Sequence, residues 1–139
     1  MTRSVDELVK VALRHSAAEG AGDMANTLGT LEANPVYELH PVGLKMVGMD
    51  SARAYYENFF NEVQPRILGY ELLAEWIGED GVIQEYRITY KPDGGVAKDY
   101  RIVGILTFGE TKLSGERLYA DEELLRIFFA PIWDKMVPV

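Results

Sequence analysis

The run Val-Ile-Gln-Glu-Tyr-Arg-Ile-Thr-Tyr-Lys at 82–91 constrains the fold more than any other stretch of the chain. Gly78-Glu79-Asp80-Gly81 precedes it and Pro92-Asp93-Gly94-Gly95 follows it, so it is a strand held between two turns. Its β-branched and aromatic residues suit a pleated, half-buried surface. Alternation sets Glu85, Arg87 and Thr89 on one face and Tyr86, Ile88 and Tyr90 on the other. The charged face either meets water or lines a cavity. Inside a cavity, Glu85 and Arg87 would partly neutralise each other and orient a polar ligand.

Around this strand the pattern predicts helices first and a meander afterwards. Ser4 and Glu7 have capping-box spacing, and Val5, Leu8, Val9, Ala12 and Leu13 follow at helical intervals, giving a helix over 5–19. Asp23 caps a second, short helix with Met24, Leu28 and Leu31 on its apolar side, ended by Asn34-Pro35. A strand over 36–40 and a loop over 41–49 come next. The apolar residues of that loop, Leu44, Met46, Val47 and Met49, line a pocket mouth, meet another subunit or pack under the next helix. Asp50 or Ser51 caps a third helix with the stripe Ala52, Tyr55, Tyr56, Phe59, Phe60, Val63, and Pro65 ends it. Strands near 66–77, 82–91, 96–108 and 113–120 are separated by hairpin-type turns and read as antiparallel neighbours. Asp121 then caps a terminal helix that is apolar nearly all round and is kinked or ended by Pro131. Helices followed by a meander make an α+β domain whose concave side, closed by helices one and three, is a natural apolar pocket.

Composition narrows the function classes. The 139 residues include no cysteine, which removes disulfides and a thiol nucleophile and fits a reducing compartment. The formal net charge of −8, with no block of Lys or Arg, argues against a nucleic-acid or anionic-membrane partner. No apolar run approaches the ~18 residues of a membrane span, and no secretory leader opens the chain. The expectation is a cytoplasmic protein with one domain over 1–139, large enough to close a core unaided.

Several strings carry a family likeness: Arg14-His15-Ser16-Ala17-Ala18 leading to Ala21-Gly22-Asp23, then His40-Pro41-Val42-Gly43, then Gly48 before Tyr55-Tyr56-Glu57-Asn58-Phe59-Phe60. Glu85-Tyr86-Arg87-Ile88-Thr89 and Glu116-Arg117-Leu118-Tyr119-Ala120-Asp121 complete the set. In this order and spacing, over nearly the whole chain, they resemble the cone-shaped, cystatin-like fold of nuclear transport factor 2, ketosteroid isomerases, limonene epoxide hydrolases and SnoaL-like polyketide cyclases. The resemblance implies a single SnoaL-like domain, its N-terminal helices packed on a curved, mostly antiparallel sheet around a pocket. It places His15 where the isomerases carry the tyrosine that donates to the forming oxyanion, and His40 where they carry the proton-shuttling aspartate. Gly104 stands where their protonated aspartate would be. The epoxide hydrolase comparison implies that Glu85 and Arg87 face the pocket, with Leu118 in the place of a second aspartate and Glu116, Leu118 and Ala120 facing inward.

Two functions remain open at this point. One is a cofactor-independent isomerase, cyclase or dehydratase acting on a small hydrophobic, carbonyl-bearing molecule, with His40 moving a proton, His15 or Arg87 stabilising the oxyanion and Glu85 orienting Arg87. The other is a non-catalytic module of the same fold that binds a small ligand or another chain. Tyr37, Tyr56, Phe60, Trp76, Tyr100, Gly104, Glu116 and Leu118 are the expected pocket wall. No metal is expected, because neither histidine is read as having a carboxylate at ligand spacing. Val103, Ile105 and Tyr119 on the back of the meander, with the apolar terminal helix, point to a homodimer.

Overall fold

The computed structural model describes residues 3–139. Helix α1 (Val5–Gly20) begins as the capping box requires, the Ser4 hydroxyl accepting from the Glu7 N–H at 3.3 Å. Asp23 caps α2 (Met24–Gly29) in the same way. Strand β1 (Leu31–His40) starts earlier than the sequence suggests: Leu31 pairs with Leu113, and the register then breaks until Val36. Pro35 lies within that break, so its missing N–H interrupts a strand and does not terminate a helix.

The expected loop over 41–49 is largely a second strand, β2 (Leu44–Val47), folded back on β1 with Met46 buried. Gly48 follows at φ +97°, a left-handed conformation that glycine adopts without strain, and it occupies the N-cap of α3 (Met49–Asn58) in place of Asp50 or Ser51. The helical path runs on through a π turn, Phe59–Val63, and a 3₁₀ turn, Gln64–Arg66, that contains Pro65.

Strands β3 (Ile67–Ile77), β4 (Gly81–Tyr90), β5 (Lys98–Phe108) and β6 (Leu113–Tyr119) are the expected antiparallel meander. Asp121 caps α4 (Glu122–Phe128) by accepting from the Glu123 N–H at 2.8 Å. Pro131 falls in a following 3₁₀ segment, Ala130–Lys135, and β7 (Val137–Pro138) ends the chain. The seven strands form one curved sheet in the order β3-β4-β5-β6-β1-β2-β7, antiparallel except where β1 meets β6.

Side-chain chemistry decides which face of the sheet takes the helices. Val82 and Ile88 of β4, Ile102 and Leu106 of β5 and Leu118 of β6 form one core with Leu8 and Ala12 of α1. Tyr55 stacks on Phe129 with centroids 4.2 Å apart, and Phe59 meets Phe128 edge-on at 5.2 Å, so α3 and the π turn after it pack against the C-terminal segment. Leu124, Leu125 and Ile132 are buried as well, and the terminal helix thus turns its apolar surface into this core instead of offering it to another subunit.

Gly115 on β6 has the tightest surroundings of any described glycine. It sits at φ +154° opposite Val36, and a Cβ there would run into the Val36 carbonyl. The obstacle is backbone, which cannot rotate away. Gly115→Ala should therefore lower unfolding stability by at least about 2 kcal/mol in urea titration. A loss within about 0.5 kcal/mol, the range of neutral surface changes, would show that the β1–β6 contact is slack.

Candidate active site

A cavity of about 320 Å³ lies between the inner face of the sheet and helices α1 and α3. Ile88, Leu106, Leu118, Phe59 and Phe128 supply apolar wall, and the exposed Gly20 and Tyr70 mark its mouth. Three titratable groups converge in it: the ligating atoms of His15, Glu19 and Glu116 lie within 4.8 Å of one another.

His15, 1% exposed, is oriented from behind. The Thr30 hydroxyl donates to the Thr27 carbonyl at 2.7 Å, so toward His15 Nδ1, also 2.7 Å away, it accepts. Nδ1 therefore carries a hydrogen, and in the neutral ring Nε2 presents its lone pair to the cavity side. Glu19, one helical turn further along α1, brings Oε2 to 3.3 Å from Nε2. The Tyr56 hydroxyl lies 3.2 Å from both, donating to Glu19, and takes the Tyr37 hydroxyl at 2.5 Å on its other side. Burial, above all, pushes the Tyr37, Tyr56 and Tyr86 hydroxyls well above their ordinary value, so they stay protonated as donors.

Glu116 enters from β6 and is 8% exposed. Its carboxyl has no hydrogen-bond or ion-pair partner among the described residues. Gly104 on the neighbouring strand makes room for it: a Cβ there would stand 3.0 Å from Glu116 Oε1. Burial first, and the charge of Glu19 second, hold the Glu116 carboxyl well above the usual carboxylate range. The cavity thus contains a carboxyl group that holds its proton more tightly than usual, facing an oriented imidazole and a second carboxyl group. His15, Glu19 and Glu116 also form a one-imidazole, two-carboxylate donor set of the kind that could hold a divalent ion.

The fold of this helix-closed cone matches solved structures along most of its length. A protein assigned to the SnoaL-like polyketide cyclases from Jannaschia sp. CCS1 covers 91% of this chain with 94% of its own, at 20% identity and a TM-score of 0.70. This is the nuclear transport factor 2-like fold. A protein assigned as an isomerase from Bacillus subtilis (14% identity, 90% and 94% covered, TM-score 0.67) has it too. So does Bal32a, from a soil-derived mobile gene cassette (18% identity, 90% and 97% covered, TM-score 0.71). No protein-family model and no curated protein matches the sequence.

Within this nuclear transport factor 2-like cone the expected site residues divide. His15, Glu116 and Leu118 line the cavity, and Gly104 lies against it. Tyr37 and Tyr56 are fully buried behind His15, and Phe60 stacks on Tyr56 at 5.6 Å, so these three support the wall from outside. Tyr100 is on the inner face but at its far end, where its hydroxyl donates to Glu123.

Four expectations are corrected. Glu85 and Arg87 face away from the cavity: Arg87 pairs with Glu71 at 3.1 Å across β3, and Glu85 lies 3.7 Å from Arg101. The helices cover the apolar face of β4, and water solvates the ions on the other, the cheaper arrangement by far. Trp76 pairs with Ile83 on the same outer face and is 53% exposed. His40 is outside too, stacked on Tyr119 at 4.9 Å with Nε2 3.0 Å from Glu38 Oε1, because strand alternation turns it away from its buried neighbour Leu39. The residues of β4 that line the cavity are Gln84, Tyr86 and Ile88. Glu19 was the overlooked member; its signal is the four-residue spacing from His15 on one helix face, which also removes the stated ground for expecting no metal ligands.

The displaced titration of Glu116 links it to stability. Folded Glu116 keeps its proton to higher pH than unfolded Glu116, so above the ordinary value of 4.5 the unfolded chain binds fewer protons and the folded state loses stability as pH rises. Glu116→Gln removes that loss. Its melting temperature should exceed that of the parent by a margin that grows with pH from about pH 4.5 and levels off once the raised value is passed. Parallel curves from about pH 4 to about pH 9 would show an ordinary carboxyl.

Proposed function

We propose that this protein is an acid–base enzyme acting on a small, mostly apolar, carbonyl-bearing molecule, with the chemistry divided between His15 and Glu116. The convergence of His15, Glu19 and Glu116 within 4.8 Å in one apolar cavity carries this reading. His15 Nε2 removes a proton from the carbon beside the carbonyl. The electron pair moves onto the carbonyl oxygen, which takes a hydrogen bond from the un-ionised Glu116 carboxyl. Glu19, 3.3 Å from Nε2, stabilises the imidazolium until the proton returns to the same carbon or, where a double bond is conjugated with the enolate, to its γ-carbon. A carboxyl whose burial favours its protonated form suits the acid role in such a division. The neighbours assigned as an isomerase and as a SnoaL-like polyketide cyclase support the same class of reaction.

Deuterium exchange from heavy water into a panel of small aryl ketones, followed by NMR, tests this without knowledge of the natural substrate. His15→Ala should lower the exchange rate by about 10²-fold or more, the scale of a general base, whereas His40→Ala and Arg87→Ala on the outer face should leave it unchanged. Equal losses in all three variants, or none in His15→Ala, would contradict the assignment.

For assembly, we propose that the outer face of the sheet, where Ile83, Val103 and Ile105 are half-buried beside the exposed Trp76 and Tyr119, joins two copies of the chain. Sedimentation velocity at micromolar concentration should give a dimer that Trp76→Glu shifts toward monomer. A monomeric parent protein would contradict it. None of the described helices is long and apolar enough to cross a membrane.

A further inference from the structure

Neither carboxyl group in the cavity has a lysine or arginine partner among the described residues, and Glu19 has only the imidazole of His15 beside it, 3.3 Å away. No lysine or arginine lines it, and the described ion pairs of the arginines and lysines all lie elsewhere, on Asp80, Glu7, Asp50, Glu62, Glu71, Glu123, Glu85, Glu38 and Glu122. Glu19 uses only Oε2, toward His15 and Tyr56, and Oε1 has no partner among the described residues. Glu116, more than nine-tenths buried, points a second unpartnered carboxyl into the same space. Beside them Tyr70 and Tyr86, ring centroids 5.3 Å apart and tilted by 46°, form an aromatic wall that leads in from the mouth.

We propose that the ligand of this cavity carries a protonated amine, seated between the Glu19 carboxylate and the rings of Tyr70 and Tyr86, with its apolar body against Ile88, Leu106 and Phe128. The inference rests on the proposed function and narrows its substrate to an amine-bearing carbonyl compound. An anionic ligand would meet Glu19 with no lysine or arginine in reach and with the one imidazole already against that carboxyl. A neutral one would displace water from that carboxylate and return nothing. Carboxylate plus aromatic faces is the environment that recognises organic ammonium groups, since ring quadrupoles attract a cation that water has partly left. A bare metal ion would engage the three ligating groups but fill little of a cavity of about 320 Å³, a size at the lower end for small-molecule sites, and would leave the aromatic wall unused.

The test compares dissociation constants, by calorimetry on the whole chain after chelator treatment, for benzyltrimethylammonium, its uncharged carbon isostere neopentylbenzene, and phenylacetate. The cation should bind about tenfold more tightly than the isostere, with affinity that falls as salt is added, and phenylacetate should bind weakest. Glu19→Gln, checked for folding by circular dichroism, should erase the difference between cation and isostere. Glu116→Gln should keep it. Equal affinity for the isostere, or salt-independent binding of the cation by the parent protein, overturns the proposal. So does a protein that ignores benzyltrimethylammonium but binds Mn²⁺ through Glu116, which would make the cluster a metal site. Failure here with normal exchange of ketone protons would remove the amine and leave the acid–base reading standing.

Discussion

Two carboxyl groups and an imidazole share a small apolar space that no lysine or arginine lines, and the functional account follows from that electrostatic constraint. Like charges this close in a poorly solvated site cannot both ionise at ordinary cost, so one carboxyl keeps its proton. Position decides which. Glu19 has 29% of its side chain exposed near the mouth and is hydrogen-bonded by Tyr56, while Glu116 is buried and has no donor. A polar cluster of this kind weakens the fold locally and is retained where chemistry or binding needs it.

The scaffold holds that cluster from both sides. On the helical side, Thr30 fixes the imidazole, and its own hydroxyl is committed to the Thr27 carbonyl, so the ring cannot exchange its tautomer without breaking a buried bond. On the sheet side, Gly104 leaves the volume that the Glu116 carboxyl occupies, and Gly115 lets β6 press against β1 just before it. The parallel β1–β6 contact is what joins the two-stranded N-terminal hairpin to the meander and so closes the cone over α1.

Much of the fold was legible in the sequence and less of the site. Capping residues marked α1, α2 and α4, and glycine-rich turns marked the meander, because these signals are local. The misreadings are tertiary. Leu44–Val47 lacks strong strand character and becomes β2 because β1 offers it an edge, and Pro35 is tolerated where the ladder is already broken. Alternation correctly separated the two faces of β4, but nothing local says which face the helices will cover, and likeness to epoxide hydrolases favoured the wrong one for Glu85 and Arg87. His40 failed for the same reason. His15 and Glu116, placed by the isomerase and epoxide hydrolase likenesses, both line the cavity.

The ionisation state of Glu116 tests the account most directly. Carboxyl ¹³C shifts of glutamate-labelled protein, with Glu116 assigned by its absence in Glu116→Gln, report protonation independently of activity or ligand. The account requires the Glu116 signal to titrate well above the ordinary carboxyl value and to move back toward it when Glu19 is replaced by glutamine. A Glu116 that is already ionised near pH 5, close to the ordinary carboxyl value of about 4.3, would contradict it and leave the cavity without an acid to set against its base.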